Sequence, residues 1–171
     1  MLLKAAGFDF TVIVPDINED IVPNESPEAY VKRLADEKSR VAAGDLSQVV
    51  VAADTSVVLD GEILGKPVDV NDARRMLQRL SGRTHEVFTG YAVRKNTLQV
   101  GMVRTKVTFR TLSSHEIEAY LLTEEPFDKA GSYGIQGFGS SLVDQIEGSF
   151  TNVIGLPLKE VIEAIHHAQK T

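Results

Sequence analysis

The chain has 171 residues, no cysteine and a formal net charge of −6, with 43% apolar and 25% charged residues. This is enough chain for one domain with a substantial core, and it excludes disulfides, thiolate nucleophiles and thiolate metal sites. The acidic balance argues against nucleic acid as the main partner, and no apolar run approaches the roughly 18 residues of a membrane span.

Residues 1–6 read as the end of a helix stopped by Gly7. They are too short for a signal peptide, so the expected setting is the cytoplasm. Residues 8–14 read as a strand leading to Pro15. Residues 16–25 form an acidic loop that includes Glu19 and Asp20, and composition alone favours a solvated, mobile one. Ser26-Pro27-Glu28 is a helix start, with Ser at the cap and Pro at the first position. The helix should run to about Ala43 with an apolar stripe of Val31, Leu34, Ala35, Val41 and Ala42. Lys38 falls on that stripe, where a lysine either snorkels to water or meets an anion.

Residues 49–55 are an apolar, β-branched run that ends on Asp54 and Thr55. That pattern suits a buried strand presenting a carboxylate at its end. Residues 57–64 then read as a hairpin, because Asp60-Gly61 suits a tight turn with φ > 0. The hairpin delivers Lys66, stiffened by Pro67. Two readings of this acid and this lysine stay open: a turn cap beside a solvated lysine, or a metal and anion site.

Asp69 caps a helix over Val70, Ala73, Met76, Leu77 and Leu80, ended by Ser81-Gly82. Residues 86–93 read as a strand, Lys95-Asn96 as a turn, and residues 98–112 as a long strand or strand pair. In the latter Val103, Val107 and Phe109 alternate with Arg104, Lys106 and Arg110, so one face is wet. Ser113 with Glu116 forms a capping box that opens another helix. Residues 128–139 carry four glycines, which permit close backbone approach. They match neither a Walker loop nor a dinucleotide fingerprint. Residues 142–146 form the next strand. Gly155-Leu156-Pro157 opens the last helix, with Leu158, Val161, Ile162 and Ile165 inward and residues 166–171 fraying.

The alternation predicts an α/β (α+β mixed) fold: a bent mixed sheet flanked by helices, in two lobes about a central cleft. His85, His115, His166 and His167 lack metal-ligand spacing, and no nucleophile elbow is present. What remains is a set of acids (Glu19, Asp54, Glu86, Asp128) and lysines (Lys38, Lys66, Lys129). Carboxylates with water bind Mg²⁺ or Mn²⁺, usually together with substrate phosphates.

Five blocks carry a family resemblance: Ala53-Asp54-Thr55, Gly65-Lys66-Pro67, Leu80-Ser81-Gly82-Arg83-Thr84-His85, Asp128-Lys129-Ala130-Gly131-Ser132-Tyr133-Gly134-Ile135-Gln136-Gly137 and Gly155-Leu156-Pro157. In this order and spacing the chain resembles the Maf family of nucleoside triphosphate pyrophosphatases over essentially its whole length. The resemblance implies a single domain over residues 1–171 and metal-dependent hydrolysis of a nucleoside triphosphate to the monophosphate and pyrophosphate, with Mg or Mn as the divalent metal. Asp54 matches the catalytic acid that activates water and also serves the metal. Glu19 sits where an acidic loop residue contributes to the metal site. Lys38 and Lys66 match phosphate-binding lysines, and Lys129 joins them as a substrate-binding residue. Thr55 and Gln136 match positions that set base preference. The Asp-Thr pair and the block ending in Ile135-Gln136-Gly137 look like the branch acting on dTTP and UTP, rather than the 7-methyl-GTP branch. The oligomer expected is a homodimer.

The resemblance also implies an opening strand and a Ser-x-Ser-Pro-Arg-Arg loop whose arginines grip the triphosphate. This sequence starts in what reads as the following helix, so weaker phosphate contacts and an open sheet edge are expected. Two alternatives stay open. One is a purine pyrophosphatase of the inosine triphosphate type. The other is a non-catalytic nucleotide-binding or septum-related interaction protein, because the family's name is linked with septum formation.

Overall fold

The computed structural model describes residues 2–44 and 48–170, so the expectations for Met1 and Thr171 lie outside the described residues. A single helical turn, α1 (Leu2–Ala5), opens the described chain and ends at Gly7. Residues 8–14 are not a strand: they run irregularly, with Val12, Ile13 and Val14 exposed. β-branched residues favour a strand only where a neighbour completes the ladder, and no described strand pairs with this segment.

Helix α2 (Pro27–Ala42) starts as expected, with Ser26 Oγ accepting the Ala29 N–H. Val31, Leu34 and Ala35 are buried, but Val41 is exposed and Ser39 takes the inner position instead. Ser26→Ala removes the cap and is expected to lower stability by about 1 kcal/mol. A lower denaturant midpoint at unchanged slope is the measurement that checks it.

β1 (Val50–Leu59) is one continuous strand, so Asp54 lies in its middle rather than at its end. The reason is cross-strand pairing: Val50 to Val58 match Arg94 to Glu86 of β3 (Thr84–Arg94) without interruption. The hairpin to β2 (Glu62–Leu64) forms as expected, with Asp60 at φ 54° and Gly61 at φ 82°. β4 (Leu98–Phe109) and β5 (Val143–Glu147) complete a sheet in the order β2-β1-β3-β4-β5. All its described pairings are antiparallel, a simpler arrangement than a mixed sheet. β2 covers only Val57, Val58 and Leu59, so the Val50–Ser56 side of β1 has no strand neighbour among the described residues.

Alternation along the strands gives the sheet two faces. On one, α2 packs through Val31 onto Val58 and Phe88. The other face carries two clusters. α3 (Val70–Leu80) and α4 (Ser114–Leu121) close over Val57, Val87, Val107 and Phe109. α6 (Leu158–Lys170) closes over Val51 and Val93. Thr55 and Thr89 fall between the two clusters along their strands, and a cleft opens there. α6 stays helical through His166 and His167, because Ala168 is fully buried against the sheet. Its inner face is Val161, Ala164, Ile165 and Ala168, with Leu158 and Ile162 only half-buried. A short helix, α5 (Phe150–Ile154), was not foreseen from the sequence; Ser149 caps it and Gly155 ends it at φ 116°. Among the described residues no helix is long and apolar enough to cross a membrane.

Candidate active site

The cleft contains a cavity of about 370 Å³ lined by residues from β1, β3, α2, α5 and two loops. That volume suits a small organic ligand. The cavity wraps around the open side of β1. Neighbouring residues on a strand point to opposite faces, and Asp54 and Thr55 use this to serve two chemically different ends.

At the charged end, Lys38 projects from α2 and meets two carboxylates. Its Nζ lies 2.6 Å from Asp54 Oδ1 and 2.7 Å from Glu19 Oε1. The Asp54 and Lys38 side chains are only 11% and 18% exposed, so this pairing is largely withdrawn from water. Burial pushes the Asp54 carboxyl above the usual aspartate range; the Lys38 hydrogen bond opposes this and nearby Glu19 reinforces it. Burial also works against the Lys38 charge, but hydrogen bonds to Asp54 and Glu19 outweigh it and raise its pKa. Glu19 is held below the ordinary glutamate range, chiefly by its hydrogen bond from Lys38.

Glu19 reaches this point because its loop is fastened to α2. Tyr30 Oη donates to the Glu19 carbonyl at 2.8 Å. Arg33 grips the Glu25 carboxylate with two bonds of 2.7 and 2.8 Å and the Asp20 carbonyl at 2.9 Å. The acidic loop is therefore anchored, contrary to its composition. Lys66, just after β2, faces the same end from across the cavity, and no described side chain forms an ion pair with it. Lys129 lines the cavity too, and its Nζ is paired with Asp128 at 2.7 Å.

At the other end the lining is neutral: Thr55, Val57, Val87, Tyr133, Ile135, Gln136 and Ile154. The glycine-rich loop that carries Gln136 is held from behind. Glu125 accepts the Phe138 and Gly139 N–H groups at 3.0 and 3.1 Å, and Tyr120 Oη accepts the Gly134 N–H at 3.2 Å. Gly131 sits at φ 68° with Val57 so close that a Cβ would lie 2.8 Å from its methyl carbon, which only glycine accommodates. Beneath the loop, Tyr133 Oη lies 2.7 Å from His85 Nε2, and burial lowers the His85 pKa to about 4.

A family model described as Maf-like protein matches residues 1–168. This chain belongs to the Maf family. Its relatives include proteins named dTTP/UTP pyrophosphatase. The one from Citrifermentans bemidjiense is 51% identical over 170 residues, covering 96% of this chain and 87% of that protein. The one from Myxococcus xanthus is 49% identical, covering 98% and 86%. The one from Geotalea uraniireducens is 48% identical, covering 96% and 87%.

In this Maf chain the structure brings Lys38, Asp54, Thr55, Lys66, Lys129 and Gln136 onto one cavity, with Glu19 joined through Lys38. Glu86, one of the acids singled out from the sequence, is elsewhere: it pairs with Arg104 on the neighbouring strand at 3.3 Å. Sequence reasoning missed Tyr30 and Arg33, which place Glu19, and Tyr120 and Glu125, which place Gln136. Tyr30 and Arg33 share a helix face at i and i+3, but nothing local says which loop they hold. The α5 wall was also missed, since five residues are too few to show a helical period.

Proposed function

We propose that this chain hydrolyses dTTP, UTP and modified pyrimidine analogues to the monophosphate and pyrophosphate. The observation that carries the reading is the polarity of the cavity. One end combines a buried carboxylate of raised pKa with lysines, and the other is lined by neutral side chains that include Thr55 and Gln136. The names of the relatives at about half identity support the same substrate class.

In this reading Lys38 and Lys66 bind the phosphates, with Lys129 beside them. Asp54 orients the attacking water and takes its proton. A carboxylate whose pKa is raised by burial is a stronger base than a free aspartate, which suits that role. The water oxygen bonds to phosphorus at the α,β-anhydride, the bridging P–O bond breaks, and pyrophosphate leaves with the bridging oxygen. Thr55 and Gln136 orient the base. Gln136 has both a donor and an acceptor, matching a uracil-type edge.

A divalent ion, Mg²⁺ or Mn²⁺, fits the donors present. Glu19 and Asp54 are hard oxygen ligands that already converge on one cation, the Lys38 ammonium. Among the described residues no third acid or histidine joins them, so substrate phosphates and water would complete the shell, as is usual for Mg²⁺. Such an ion neutralises phosphate charge when bound.

The test is a pyrophosphate-release screen across nucleoside triphosphates with Mg²⁺ and with Mn²⁺. Release selective for UTP and dTTP is expected. Purine-selective release would replace the reading with the inosine triphosphate type, and no release with any nucleotide would favour a binding protein.

A further inference from the structure

Behind Thr55 stands a second hydroxyl that does not line the cavity. Thr89 of β3 is the cross-strand partner of Thr55 and is fully buried. Its Oγ1 lies 2.9 Å from Thr55 Oγ1 and 2.9 Å from the carbonyl oxygen of Asn152 in α5. A hydroxyl has one proton, and a carbonyl can only accept. Thr89 therefore donates to Asn152 and can meet Thr55 only as an acceptor. Thr55 in turn spends its single proton on Thr89. The Thr55 oxygen is left with lone pairs alone to offer the cavity.

This polarity is firmly anchored. The Asn152 side-chain amide donates to the Val87 carbonyl at 3.1 Å and to Thr105 Oγ1 at 3.0 Å. The Asn152 carbonyl also accepts the Gly155 N–H at 2.9 Å, which fixes its direction. Gly155 itself leaves room above Thr55: a Cβ there would lie 3.4 Å from Thr55 Oγ1.

We propose that Thr89 is a specificity-determining positioning residue: it fixes Thr55 as a hydrogen-bond acceptor at the base end, favouring pyrimidines whose ring N3 carries hydrogen over cytosine. The inference rests on the pyrimidine reading above. Uracil and thymine present N3–H to an acceptor. Cytosine presents an N3 lone pair, and two opposed acceptors leave both without a bond, which is costly away from water.

The test compares kcat/KM for UTP and CTP in wild type, Thr89→Val and Thr89→Ser. Thr89→Val removes the acceptor and frees the Thr55 proton to face the ligand. The UTP-to-CTP ratio should then fall on the order of tenfold, with CTP improving relative to UTP. Asn152 keeps its bond from Gly155, so its carbonyl is not orphaned. Thr89→Ser retains the hydroxyl and should keep the wild-type ratio. In a Thr55→Val background, replacing Thr89 should leave the ratio unmoved. If the valine variant does not fold, Thr89→Ala carries the same expectation. Equal losses on both nucleotides, with the ratio unchanged, would show that Thr89 is only structural. A wild type that turns over neither pyrimidine would instead overturn the pyrimidine reading, and this inference with it.

Discussion

Asp54→Asn is expected to lower pyrophosphate release by about two orders of magnitude or more, the usual scale for loss of a general base. The fold should survive. The amide keeps the shape of the carboxylate and an oxygen for Lys38 Nζ, and Lys38 retains Glu19 as its ionic partner. Steady-state kinetics with UTP and a circular-dichroism melt of the same sample read the two halves of this expectation. A variant with unaltered kcat would remove Asp54 from the chemistry, however well it is placed.

Lys38→Met should weaken turnover at neutral pH and move its pH dependence. A charge-assisted hydrogen bond is worth roughly 1.5–3 kcal/mol, so losing one such contact to phosphate costs about 10- to 100-fold. The pH effect follows from the same contact seen from Asp54. Asp54 must be ionised to take a proton, so kcat falls as pH drops through its raised pKa. Lys38 pulls that pKa down, against burial. Without Lys38 the pKa rises further, and the acid limb of log kcat shifts to higher pH. A profile whose acid limb stays in place would show either that Asp54 is not the titrating base or that Lys38 does not govern it.

Much of the local structure could be read directly from residues. Ser26-Pro27 starts α2, Asp60-Gly61 turns the hairpin and Ser113 with Glu116 caps α4, because each of these signals acts within a few residues of itself. The alternating burial along β4 was legible for the same reason: the period of a strand belongs to its own chemistry. The candidate acids and lysines could be picked out the same way, but taken alone they left two readings open, a turn cap beside a solvated lysine or a metal and anion site.

What lies across the chain was not legible. Residues 8–14 have strand composition, yet pairing needs a neighbour and no described strand supplies one. Asp54 falls mid-strand because β3 pairs straight past it, a register that no seven-residue window contains. The acidic loop looked solvated, and only Tyr30 and Arg33 on a distant helix face make it an anchored wall. Most of all, the proton of Thr55 is assigned by Thr89 and Asn152, 34 and 63 residues apart in successive bonds. Hydrogen-bond direction depends on what lies behind each hydroxyl. The residues themselves determined which acids, lysines and hydroxyls were candidates for a site; the pairing of β1 with β3 and the docking of α5 on β3 decided which of them share one cavity and which way the Thr55 hydroxyl points.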